Sequence, residues 1–210
     1  MKKFTGLLSF LLVACLCTSV FGAAPIRIGA LFSVTGPASF LGEPEKNTLE
    51  LLVKELNAKG GIKGSKVELI VYDTQGDATK AVQLANKLIK DDQVIAIIGP
   101  STTGETMAVK PVTEKEQIPL ISCAAGSKIT DPVNPWTFKT AQNDTLAVAR
   151  IFESLQKRKL DKVAILTASD GFGASGREQL KNQAAKYGIT LTVDDTFGPK
   201  VSSATSASPF

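Results

Sequence analysis

Short apolar runs alternate with stretches of helical period along this chain. Ile26-Arg-Ile-Gly-Ala-Leu-Phe32 reads as a buried strand. Leu49, Leu52, Val53 and Leu56 then share one helical face, and Gly60-Gly61 stops that helix. Val67, Leu69 and Val71 alternate as a strand that ends at Asp73. The segment Ala78–Asp91 is predicted helical, with Ala81, Leu84, Ala85 and Leu88 on one face, and Val94–Ile98 is a short all-apolar strand. Thr102–Glu116 follows as a helix that Pro111 must kink or interrupt. Further pieces are a strand at Ile118–Ser122, an extended stretch at Trp136–Lys139, and a helix capped by Asp144 that runs to Lys157. A strand at Val163–Ala168, a helix at Phe172–Tyr187 and a strand at Ile189–Asp194 complete the pattern.

Strands this short and apolar, with helices between them, predict an α/β fold: a doubly wound parallel sheet covered on both faces. The stretch Thr130–Asn143, TDPVNPWTFKTAQN, has two prolines and no helical period. It reads as a crossover between two lobes, the first at 25–140 and the second at 141–200, with an irregular tail at 201–210.

Composition changes the picture little: 43% hydrophobic and 21% charged residues suit a globular protein. The 24 basic and 20 acidic residues give a net charge of +4. No Lys/Arg block stands out, so there is no electrostatic case for a nucleic-acid partner. The N-terminus matters more. After Lys2 and Lys3 no charge occurs from Phe4 to Ala24, and Val20 and Gly22 suit cleavage before Ala23, which makes residues 1–22 an export signal. Two other readings stand beside it: a lipoprotein signal with its lipobox at Leu12-Val-Ala-Cys15, and a membrane-spanning helix. All three take the protein out of the cytoplasm, and the first places it in the periplasm. Cys15 and Cys17 leave with the signal, so Cys123 has no partner for an internal disulfide. It reads as a small buried hydrophobe at a strand end or as a reactive thiol.

In a doubly wound sheet, ligands sit beyond the carboxyl ends of the strands, where the strand order reverses. In the flavodoxin-like order, the loops after the first and third strands flank that point. Here these are Ser33–Gly42 and Gly99–Gly104, joined by Ser122–Lys128 after the fourth strand. All three are rich in Gly, Ser and Thr. Helix N-termini with the hydroxyls of Ser101, Thr102 and Thr103 suit one carboxylate. They do not suit a triphosphate, since the chain has no G-x-x-x-x-G-K-[ST].

Catalytic chemistry is thin. With no histidine, Ser-His-Asp and Cys-His arrangements and the usual zinc sites fall away. There is no G-x-S-x-G elbow, and Ser154-Leu-Gln-Lys157 lies inside a predicted helix. Gly171, Gly173 and Gly176 in SDGFGASGR spell a dinucleotide fingerprint. Two polar residues separate them from the strand, however, and Asp170 would repel a pyrophosphate. The glycines read instead as a strand-to-helix turn from which Phe172 projects.

In order along the chain, IRIGALFSVTGPASFLGE, LIVYDTQGDATKAVQLANKLI, AIIGPSTTGE, IPLISCAAGS and FKTAQND resemble the leucine/isoleucine/valine-binding protein family. That resemblance covers Ile26 to about Lys200. It implies a type I periplasmic-binding fold: two α/β lobes closing on an amino acid, or on a related carboxylate or amide, for delivery to an ABC-transporter permease. It implies a receptor rather than an enzyme, and no cofactor. A sensor domain of the same fold is the alternative, and an exported enzyme a more distant one. The family's carboxylate-binding serine falls on Ser101, with Thr102 and Thr103 beside it. The groups that hold the α-amino end fall near Ala125 and Ser127. Phe40 would cover the ligand from the first loop and Phe172 from the second lobe. The resemblance fails at Val201–Phe210, where the family continues its second lobe. From this the second lobe is expected to be incomplete, and the chain to expose apolar surface and bind amino acids only very weakly, if at all.

Overall fold

The computed structural model describes residues 24–198; residues 1–22, predicted above as an export signal, and the 201–210 tail lie outside the described residues. Five parallel strands form the first sheet: β1 (Ile26–Phe32), β2 (Val67–Asp73), β3 (Ile97–Ile98), β4 (Leu120–Ser122) and β5 (Thr137–Lys139). Their order, β2-β1-β3-β4-β5, places the switch in strand order between β1 and β3. Register runs from Ile26 opposite Val67 to Phe32 opposite Asp73, and Gly29 faces Ile97. Three helices belong to this lobe: α1 (Ser39–Ala58), α2 (Ala78–Lys90) and α3 (Thr103–Glu116).

The second sheet pairs β6 (Lys162–Ala168) with β7 (Thr190–Phe197), again in parallel. Helices α4 (Asp144–Lys157) and α5 (Gly171–Ala184) pack on it. The chain is therefore a two-lobed α/β protein with parallel sheets. Among the described residues, no helix is long and apolar enough to cross a membrane.

Element types follow the hydrophobic pattern, but several bounds move for backbone reasons. Helix α1 starts at Ser39, so the first loop is shorter than predicted and Phe40 stands on a helix, not in a loop. Pro44 disguises this start, because it lacks the N–H of a helix interior. The regular part of β3 is only Ile97–Ile98, yet ladder bonding begins earlier, with Ile95 N–H donating to Arg27 O at 3.0 Å. Strand β4 waits until Leu120 because Ile118 N–H is drawn back to Thr113 O of α3, and Pro119 has no N–H. Helix α3 is not interrupted at Pro111; it runs on to Glu116 and ends at Gln117 in the left-handed region. Strand β7 extends past the predicted Asp194 to Phe197.

Helices lie on both faces of the first sheet, as expected, but they cover the two faces unequally. On one face, α2 and α3 bury Ala81, Ala85, Leu88 and Val109 against Leu31, Ile97 and Leu120. Burying side chains of this kind stabilises by about 1.5–3 kcal/mol for each large residue. On the other face α1 lies along β1 and β2 and stops short. Beside it runs a groove of about 410 Å³ lined by Phe32, Leu49, Leu52, Ile98 and Cys123. Leu51, Leu52 and Phe138 are exposed. The second lobe is likewise one-sided. Val148, Phe152, Ala184 and Ile189 form its core, while Leu166, Val193 and Phe197 of the opposite face are exposed.

Asp194, predicted to end its strand, lies inside it instead. It sits within β7 and accepts hydrogen bonds from Arg177 Nε at 2.5 Å and Lys181 Nζ at 2.8 Å, both on α5. These two cations hold its carboxyl down at about 2, from an ordinary 3.8. A depressed carboxyl stabilises the fold above its unfolded value, and that contribution disappears as pH falls through the folded one. Acid unfolding of the second lobe should therefore steepen between pH 3.8 and about 2. Asp194→Asn should flatten that limb in a circular-dichroism titration; an unchanged acid limb would show that the α5–β7 pairs carry no stability.

Candidate functional site

The site grows from the loops at the carboxyl ends of β1, β3 and β4. Thr102 is the N-cap of α3: its Oγ1 accepts from Glu105 N–H at 3.3 Å, and Glu105 Oε2 accepts from Thr102 N–H at 3.2 Å. This reciprocal box is written in the sequence as Thr102-Thr-Gly-Glu105. Glu105 is only 1% exposed, and a buried carboxylate needs several donors. Its Oε2 also receives Thr102 Oγ1–H at 2.6 Å and Ser33 Oγ–H at 2.9 Å, while Oε1 has no partner.

Ser101 is 3% exposed and turns inward. Its hydroxyl donates to Glu45 Oε2 at 2.5 Å and accepts from Ser33 N–H at 3.1 Å. Burial raises the Glu45 carboxyl above its ordinary range; the Ser101 bond opposes this and the Glu105 charge adds to it. Ser101 and Thr102 thus knit the β1 and β3 loops together. Thr103, the first residue of α3, turns the other way. Its Oγ1 accepts from Gly126 N–H at 3.3 Å, which brings the 125–127 loop onto the helix tip. The Thr103 and Gly104 N–H groups lie between the two residues of the capping box and are not engaged by it, at the positive end of the helix.

The remaining predicted residues divide. Ala125 O accepts from Lys139 Nζ at 2.7 Å, and Gly126 O from the same ammonium at 3.2 Å. Desolvation lowers the Lys139 pKa, with the nearby Asp144 charge opposing. Ser127 is buried, its N–H donates to Ser175 Oγ at 3.0 Å, and its own hydroxyl has no partner. Phe172 is 55% exposed in the first turn of α5. Its neighbour Gly171 comes close enough to α3 that a Cβ there would stand 3.1 Å from Gly104 N, a tight contact that a glycine avoids. Phe40 is 73% exposed on α1. The structure therefore assembles Thr103, Ala125, Ser127 and the Phe172 turn around one helix tip, with Ser101 and Thr102 behind it.

Sequence reading missed Glu45, Glu105, Lys139, Asp144 and Ser175. Only Glu105 left a signal, through its box spacing with Thr102; the others are recruited across the fold. The glycine fingerprint resolves as a turn. Asp170 caps α5 by accepting from Gly173 N–H at 2.8 Å, which places a carboxylate where a pyrophosphate would bind. A Cβ at Gly173 would lie 2.0 Å from Ala168 O, so this glycine serves helix–strand packing. Cys123 is half-buried beside the apolar groove, and burial pushes its thiol up to about 11. A thiol that stays protonated at neutral pH is a poor nucleophile. Among the described residues, no group of three or more His, Cys, Asp or Glu could hold a metal ion.

Parallel sheets in two lobes, with helix tips meeting across the gap, define the type I periplasmic-binding architecture. The chain matches the model of a periplasmic binding protein family over residues 25–209, and it belongs to the leucine/isoleucine/valine-binding family of these proteins. It is 30% identical over 190 residues to the Leu/Ile/Val-binding protein BraC3 of Rhizobium johnstonii, covering 90% of this chain and 52% of that one. An extracellular ligand-binding receptor from Rhodopseudomonas palustris HaA2 superposes with a TM-score of 0.79 at 29% identity, over 86% of this chain and 49% of the other. A type 1 periplasmic binding protein from Bordetella pertussis Tohama I gives 0.81 at 28% identity, over 86% and 51%. The chain spans about half the length of the relatives it matches.

Ser101→Ala removes the acceptor of a buried N–H and the donor to Glu45. It should destabilise the ligand-free chain by about 1–3 kcal/mol, read as a lower melting temperature. An unchanged melting curve would release Ser101 from this structural role.

Proposed function

We propose that this chain carries the ligand-recognising part of an exported solute receptor that serves an ABC importer. Its ligand is a small carboxylate, in the first instance a branched-chain amino acid, held between the lobes. The observation that carries this reading is the α3 tip: two backbone N–H groups at the positive end of a helix, under Gly171 and Phe172 of the second lobe, with the unpartnered Ser127 hydroxyl close by. A carboxylate there gains donors and the helix dipole without a protein cation. Phe172 supplies apolar cover, and Thr103 positions the 125–127 loop. Ser101 and Thr102 hold the turn from behind, and Ala125 presents its carbonyl. Phe40, exposed on α1, would have to reach the ligand from outside this cluster.

The Rhizobium relative's name supports the ligand class. In this reading residues 1–22 direct export to the periplasm, a membrane permease is the partner, and no nucleic acid is. Function is binding and delivery without turnover.

A carboxylate reading separates an acid from its ester. Leucine, isoleucine and valine should raise the melting temperature of the chain, and their methyl esters should not. Equal behaviour of acid and ester would remove the α3 tip from the site. Because Phe172 is exposed, Phe172→Ala should leave the ligand-free melting temperature nearly unchanged and weaken binding by about tenfold in calorimetry. A large loss of stability without ligand would make Phe172 a packing residue instead.

A further inference from the structure

We propose that Asp144 and Ser175 form a latch that holds the second lobe closed on the 125–127 loop of the first. Ser175 stands on α5 and Asp144 opens α4, both in the second lobe. The Ser175 hydroxyl donates to Asp144 Oδ2 at 2.5 Å and accepts from Ser127 N–H at 3.0 Å. All three residues are buried. A hydroxyl has one proton. Asp144 takes it, so the lone pairs of Ser175 are left facing the first lobe, and the carboxylate makes Ser175 a stronger acceptor than a free hydroxyl.

The receiving side is equally fixed. Lys139 Nζ holds the carbonyls of Ala125 and Gly126, the two residues before Ser127, and Thr103 Oγ1 holds Gly126 N–H. The loop is thus anchored within its own lobe and presents one N–H outward to Ser175. Few other ties cross between the lobes. Lys128 pairs with Glu178 at 2.7 Å, but the lysine is largely exposed and the glutamate partly so, and such pairs hold weakly. The apolar clusters of the two lobes share no residue, so opening uncovers little core. A closed state held by a few directional polar bonds, and not by a common core, can open and re-form. Its opening would unmask the Ser127 N–H beside the Ser127 hydroxyl that already has no partner.

The test needs no ligand, so its failure is distinct from failure of the binding reading. In a Cys123→Ala background, Lys54→Cys on α1 and Lys157→Cys on α4 carry spin labels on exposed positions. The parent should give one narrow inter-lobe distance. Ser175→Ala should broaden and lengthen it, and should speed hydrogen exchange at the Ser127 amide by about tenfold or more, with Leu88 and Ile165 amides unchanged as controls for folding. Asp144→Asn, which keeps the shape, should shift both readouts in the same direction by less, and it decides the matter if Ser175→Ala fails to fold. Faster exchange at Ser127 with an unchanged distance would show a local bond only and overturn the latch. No change in either readout would overturn it too.

Discussion

One buried carboxylate, that of Glu105, organises the carboxyl ends of the first-lobe strands. Its Oε2 gathers the Ser33 hydroxyl from the β1 loop and both the N–H and the hydroxyl of Thr102 from the β3 loop. A charge without water is costly, and several donors on one oxygen offset that cost. The result is that two loops on either side of the switch in strand order become one rigid unit. The tip of α3 is then presented outward with its first N–H groups uncommitted to the cap. Remove Glu105, and the Ser33 and Thr102 groups must find new partners in a site that excludes water.

The lobes are built on the same plan and meet through polar contacts. Each has one face closed by helices and one face less covered, and each presents a helix start to the other: α3 with Thr103 and Gly104, α5 with Gly171 and Phe172. Close approach there is helped by the missing side chain at Gly171, where a Cβ would crowd the Gly104 backbone. Directional bonds among Ser127, Ser175 and Asp144 set the angle of approach, since apolar burial alone specifies no direction. In the proposed reading, recognition and lobe closure share the same few residues of the 125–127 loop.

The legible part of this protein was local. Strand and helix types followed from runs such as Val67–Asp73 and the Ala81, Leu84, Ala85, Leu88 face, because period alone separates a pleated strand from a helix. The strand order and the three loops at the site followed from the α/β alternation and the reversal rule. The Asp170 turn was readable from its place before Gly171. Ordered motifs also carried the family resemblance, which the match over residues 25–209 establishes. Element ends were less legible, since Pro44, Pro119 and Pro111 each act through backbone bonds that depend on neighbouring segments.

What the sequence by itself determined is the alternation of elements, the capping box at Thr102 and Glu105, and the absence of histidine chemistry. Each is a property of residues within a few positions of one another, or of composition. What only the tertiary structure decided is where the polar side chains point. Ser101 and Thr103 are two residues apart and equally hydroxylic, yet one turns to Glu45 and the other to Gly126. Lys139 and Asp144 lie in FKTAQND and Ser175 in SDGFGASGR, yet neither stretch says what these side chains touch. Their roles arise because folding brings a strand end, a helix start and a helix turn, separate in the chain, onto one loop, where buried polar groups must find partners.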